Sequence, residues 1–220
     1  MTALRRARRL PAHALAFAAL ALALAATGAA AQSSGPPPAA AIDELMAPGP
    51  LPDIVEGRVD APVTIIEYAS MTCSHCAAFH QATWPGLKAK YVDAGKAKFI
   101  LREYPFDPLA AAAFMLARCA GPAKRDALID RLFDRQADWA FAANPLYRLK
   151  AQALEAGMSE ADFQACLTNQ ELLNHVKQTQ EIAATKFQVR STPTFFVNGV
   201  RLIGELSLEK FDEVLAPMLR

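Results

Sequence analysis

Two cysteines with two residues between them, Cys73-Ser74-His75-Cys76, are the residues of this chain best suited to covalent chemistry. Such a pair can close a small disulfide ring, open it again, or supply half of a metal site. An apolar run at residues 63–68 precedes the pair, and a helix-like segment to about residue 94 follows it. Strand, then C-x-x-C, then helix is the setting that favours redox chemistry. A thiol attacks as its thiolate, which is favoured where a positive group or the unpaired N–H groups of a helix N-terminus face the sulfur. Cys73 is expected as the first residue of that helix, exposed and ionised. Cys76, one turn in, is expected to be buried and less ionised. A stabilised Cys73 thiolate stabilises the dithiol form, which makes the disulfide form a strong oxidant.

The elements that must hold this pair follow from patterning. Val63-Thr64-Ile65-Ile66-Glu67-Tyr68 is β-branched and nearly all apolar, the pattern of a strand buried on both faces. Glu67 interrupts it. Residues 73–94 read as a helix that must kink at Trp84-Pro85, and Gly95 ends it. Residues 98–104 form a second strand, completing a βαβ unit. Asp107-Pro108 opens a helical block with an N-cap and an N1 proline, and further helix starts lie near Lys124, Asn144-Pro145, Ser159 and Glu171. Two short apolar runs then flank Asn198-Gly199, a strong hairpin signal because both turn residues need positive φ. Ser207 caps a closing helix that Pro217 shortens. The order is βαβ, a helical block at about 107–188, then ββα.

The chain has 220 residues with 53% hydrophobic and 20% charged, an ordinary globular composition for one domain. Residues 1–31 read as a cleaved secretory signal: Arg5, Arg6, Arg8 and Arg9, an apolar stretch at 14–26, and Ala29-Ala30-Ala31 before Gln32; the alternative is an uncleaved membrane anchor, for which the apolar run is short of a span of about 20 residues. Without them, 23 basic residues become 19 against 22 acidic ones, so the net charge moves from +1 to −3. Nothing there suits a nucleic-acid surface. Residues 32–53, rich in proline and alanine, read as a flexible segment, with a helical turn near Ile42 and the globular domain starting at Ile54. Export would place the chain in the periplasm, an oxidising compartment where disulfides persist.

Four features together resemble the DsbA-like branch of the thioredoxin superfamily, the exported thiol:disulfide oxidoreductases. They are Glu67 six residues before the motif, Cys73-Ser74-His75-Cys76, the helical insertion, and Ser191-Thr192-Pro193-Thr194 before the hairpin. The resemblance spans about residues 54–220 and implies an α/β thioredoxin fold with an all-helical subdomain inserted between its βαβ and ββα halves. It implies that Cys73 and Cys76 form a redox-active disulfide, that His75 supports the Cys73 thiolate, and that Glu67 relays a proton to Cys76. It also implies a cis Thr192–Pro193 loop facing the motif, with the Thr192 backbone pairing with substrate. Ser74 departs from the family's best-known motif, which has proline there, and this leaves the redox potential open. Cys119 and Cys166, in the insertion, either pair or stay as small buried hydrophobes, and a second disulfide occurs in some DsbA-like proteins. Implied partners are reduced, unfolded exported proteins and a DsbB-like, quinone-linked membrane oxidase, acting on a monomer without cofactor or resident metal.

Two alternatives remain at this level. One is an isomerase or reductase of the same fold. The other is a copper- or zinc-binding module using Cys73, Cys76 and His80, although Cys119 and Cys166 do not supply a second ligand pair. Outside that alternative, His80 reads as a packing or helix-surface residue.

Overall fold

The computed structural model describes residues 39–220, with side chains from Ile42 onward. The expected signal at 1–31 and the first part of the 32–53 segment lie outside those residues. Five strands form one sheet in the order β1-β3-β2-β4-β5, where β1 is Ile54–Glu56, β2 Val63–Ala69, β3 Ala97–Glu103, β4 Thr194–Val197 and β5 Val200–Ile203. β2 and β3 run parallel, and the other pairs are antiparallel. β2, near the middle, is buried along its whole length, which is why its sequence is a nearly continuous apolar run. Strand periodicity divides it. Ile65, Glu67 and Ala69 face the main core, while Ile66 and Tyr68 face a second cluster with Ile100 and Phe196. Glu67 therefore points under the helix that follows β2.

That helix is broken as the proline requires. α2 (Ser74–Ala82) ends at Thr83, α3 (Trp84–Leu87) starts a new turn, and a π-helical turn covers Lys88–Val92. The Thr83 hydroxyl donates to Leu206 O at 2.9 Å, tying the break to the C-terminal part of the chain. The hairpin turn has φ of 44° at Asn198 and 86° at Gly199, and the Asn198 side chain accepts from Thr64 N at 2.8 Å.

The insertion between the halves is helical throughout: α4 (Pro108–Cys119), α5 (Pro122–Asp134), α6 (Gln136–Trp139), α7 (Pro145–Glu155), α8 (Glu160–Leu167) and α9 (Gln170–Thr185). Asp107 caps α4 by accepting from Ala110 N at 2.8 Å, and Ser159 caps α8 by accepting from Asp162 N at 3.0 Å. Cys119 and Cys166 are bonded, with Cα atoms 6.0 Å apart, joining the end of α4 to α8. Closing a loop of that length stabilises by about 4 kcal/mol on the loop-entropy account, an upper-end figure. α10 (Leu208–Leu215) follows Ser207, and a 3₁₀ turn with Pro217 ends the fold.

The structure differs from the expectation at three places. β1 is an extra edge strand, too short to show alternation. α6 is one turn long and likewise leaves no periodic signal. The third difference is the segment before Ile54. The helical turn expected near Ile42 is present as α1 (Ala39–Met46), but the segment packs on the domain, with Leu45 buried in the second cluster. Arg102 of β3 donates to Leu45 O at 2.7 Å and to both oxygens of Asp53, and Arg118 of α4 donates to Pro52 O at 2.6 Å. Buried guanidinium groups need acceptors, and this segment's carbonyls and Asp53 supply them. Composition alone does not reveal that need.

Candidate active site

Cys73 is the N-cap of α2, one position before the helix begins, with extended backbone (φ −81°, ψ 117°). Its carbonyl accepts from Ala77 N at 3.1 Å, so the sulfur sits at the open N–H end of the helix. The half-buried thiol donates to the carbonyl oxygen of Thr192 across 3.3 Å, 119 residues later. The Thr192–Pro193 peptide bond is cis. Gly204 N donates to Pro193 O at 2.9 Å, fastening that loop to the hairpin. Two segments far apart in sequence thus form opposite walls around one sulfur.

The backbone of the cysteine loop is clamped from the insertion. The Gln136 side-chain amide on α6 is buried and donates to Met71 O at 2.9 Å and to Cys73 O at 3.0 Å. Thr72 donates to Asp107 at 2.6 Å, so the α4 cap also holds this loop. Neither clamp has a signal in the sequence: Gln136 carries no motif, and Asp107 marks only a helix cap.

The two sulfurs are set apart electrostatically. A hydrogen bond from the Cys76 thiol lowers the Cys73 pKa to about 5, against the opposing effect of burial. The Thr192 side chain and the backbone N–H groups of Cys76 and His75 add to the lowering. Cys76 is fully buried, and burial pushes its thiol well above the usual cysteine range, with the hydrogen bond to Cys73 and the Glu67 charge adding to the rise.

The two histidines divide: His80 packs in the interior, one of the two places expected of it, and His75 lies away from the thiolate it was expected to support. The His75 imidazole does not meet Cys73. Its side chain is 72% exposed, and Nδ1 lies 3.4 Å from Glu205 Oε2, a weak surface contact. What His75 contributes to the thiolate is its backbone N–H. His80 instead is buried beneath the pair, with Nε2 2.9 Å from Oε2 of the fully buried Glu67. Its ring stacks on Phe133 of α5 with centroids 4.0 Å apart at 11°. The metal-binding alternative would use His80 beside the two cysteines, but Nε2 is turned to Glu67. Helix geometry explains the division. Cys76 and His80 are four apart and share the buried face of α2, while His75 lies about 100° around the helix. That spacing, together with a buried acid in need of a donor, is the signal that could have found His80.

The arrangement can present an ionised, half-buried sulfur beside the cis Thr192–Pro193 loop, backed by a buried thiol, an acid and an imidazole. That suits exchange between this dithiol pair and a sulfur on an extended peptide.

A thioredoxin family model matches residues 51–216. A Rickettsia conorii protein provisionally named a protein-disulfide oxidoreductase is 33% identical over 158 residues, 71% of this chain and 57% of that protein. A similarly named Rickettsia typhi protein is 31% identical over 150 residues, 68% of this chain and 56% of that one. The chain thus spans a little over half the length of these relatives. Among solved structures, Wolbachia pipientis alpha-DsbA1 superposes with a TM-score of 0.75 at 28% identity, covering 80% of this chain and 95% of that one. Oxidised BdbD from Bacillus subtilis gives a TM-score of 0.68 at 20% identity, covering 76% and 92%, which speaks to the fold alone.

Proposed function

This chain belongs to the thioredoxin family, in its DsbA-like branch, and on that premise we propose that it is a thiol:disulfide oxidoreductase that donates its Cys73–Cys76 disulfide to reduced proteins. The observation that carries the reading is the split between the two sulfurs: Cys73 lowered to about 5 at the helix N-terminus, and Cys76 buried and raised. A substrate thiolate attacks the Cys73 sulfur. The Cys73–Cys76 bond breaks, its electron pair goes to the Cys76 sulfur, and that sulfur takes up a proton, whose source in this reading is Glu67. A mixed disulfide then links substrate to Cys73. A second substrate thiolate attacks the substrate sulfur and expels Cys73, a good leaving group because its thiolate is stable at neutral pH. Thr192 and Pro193 hold the substrate strand by its main chain, so many sequences can be served. The resemblance supports exported proteins as the clients, the periplasm as the place, and a DsbB-like membrane oxidase for reoxidation.

The test is oxidation of a reduced, unfolded model protein by the purified chain. Stoichiometric transfer of one disulfide per molecule is expected, and Cys76→Ala is expected to trap client proteins covalently at Cys73. Failure of the wild-type chain to oxidise such a protein contradicts the reading.

A further inference from the structure

The reaction above gives no role to the imidazole buried beneath the cysteines. His80 is 5% exposed and lies among aromatic rings: stacked on Phe133, and edge-on to Phe79 at 5.2 Å and to Phe99 at 6.4 Å. A residue there for packing alone would serve better as an apolar ring, because a polar atom buried without a partner loses its hydration and gains nothing in return. Two atoms of this pair have that status. Nδ1 of His80 and Oε1 of Glu67 are buried with no hydrogen-bond partner. The remaining atoms, Nε2 and Oε2, bond to each other at 2.9 Å. The pair therefore leaves one free carboxylate oxygen and one free ring nitrogen.

Charge effects order the neighbours. The Glu67 carboxylate acts on Cys76. On the other side, His80 acts on Asp130 of α5, a partly buried carboxyl. Burial, then Asp134 and Asp126, raise Asp130, while His80 and Lys88 lower it. The imidazole itself meets Glu67 of β2 through Nε2 and Phe133 of α5 through its ring, and Asp130 lies one helical turn before Phe133 on α5, with Asp126, Asp134 and Lys88 as the other charges acting on it.

Resting on the oxidoreductase reading, we propose that His80 is a positioning residue that holds Glu67 by one oxygen and renews its proton from the Asp130 side of the helical insertion. When the Cys73–Cys76 bond breaks, the electron pair goes to the Cys76 sulfur and Glu67 gives that sulfur its proton. His80 returns a proton to Glu67 from Nε2 and takes one at Nδ1 from the α5 side, ultimately from water. Reoxidation runs the same path backwards. The insertion is then part of the proton path as well as a cover.

The test follows reduction of the oxidised chain by dithiothreitol from pH 4 to 9, which needs no protein client. His80→Gln keeps a donor for Glu67 but carries no proton. It is expected to slow reduction at neutral pH by about tenfold or more, within the range of general acid–base effects, and to remove one limb of the pH–rate profile. Asp130→Asn, at a partly buried position, is expected to shift that limb while Cys73 alkylation keeps its wild-type midpoint. A His80→Gln protein with wild-type rate and profile overturns the proposal. If that variant does not fold, an unchanged Asp130→Asn profile overturns it alone. Loss of client oxidation by the wild type, with the His80 effect on dithiothreitol reduction intact, would instead contradict the oxidase reading.

Discussion

At Cys73 burial and hydrogen bonding pull in opposite directions, and hydrogen bonding wins, leaving the thiol at about 5. The unfolded chain has no helix N-terminus, so its thiol titrates near 8.5. A group whose folded pKa is depressed stabilises the fold fully above its unfolded value and loses that contribution as pH falls through its folded value. The disulfide form has no thiol to ionise. The melting temperature of the reduced chain relative to the oxidised one is therefore expected to rise from pH 5 to about 8.5, as read by thermal unfolding of both forms across that window. A flat difference would contradict a depressed Cys73. At this scale the sequence was informative where spacing does the work. C-x-x-C before a helix marked both sulfurs, and an acid inside an apolar strand marked Glu67. The histidine roles were less legible, because a side chain's partner depends on residues far away. His75 meets Glu205, 130 positions on, and His80 meets Glu67 and Phe133.

Among elements, the strands and long helices of both halves were readable from periodicity and caps, since Asp107, Ser159 and Ser207 each accept from a helix N–H group in the structure. What escaped were pieces too short to have a period, β1 and α6. The second of these matters for the site, because its first residue, Gln136, holds the cysteine loop. Replacing Gln136 with Leu leaves Met71 O without this donor, while Cys73 O keeps its bond from Ala77. The expected cost is about 1–3 kcal/mol, measured by denaturant unfolding of the reduced chain, with a weaker lowering of the Cys73 pKa as the loop loosens. An unchanged stability would mean that the clamp is incidental.

Across the whole molecule, one buried arginine joins the N-terminal arm to the sheet. Arg102 bonds Asp53, Leu45 O, Ala47 O and Tyr68 OH from within β3. Removing one partner of a buried ion pair costs about 3–5 kcal/mol, and partial exposure of Asp53 lowers that to about 2–3. Arg102→Ala is expected to lose about that much stability and to open residues 39–53 to proteases, while the Cys73 chemistry persists, because Arg102 lies with Tyr68 on the face of the sheet opposite Glu67 and α2. Proteolysis of that arm at the wild-type rate would contradict the anchoring role. Such an anchor is hidden in the sequence because proline and alanine content describes a segment's own preferences, not the unmet donors of the surface it covers.

The central claim is that a stabilised Cys73 thiolate makes this disulfide oxidising. Thioredoxin's attacking cysteine titrates near 7 and its couple lies at about −270 mV. A value of about 5 leaves the thiol almost wholly ionised at pH 7, where one titrating near 7 is half ionised, so the dithiol form gains about fiftyfold. At about 30 mV per tenfold for a two-electron couple, that raises the potential by about 50 mV. The most direct measurement is equilibration of Cys73–Cys76 with glutathione at pH 7. A potential of about −220 mV or more positive is predicted, and one at or below about −270 mV would contradict the account.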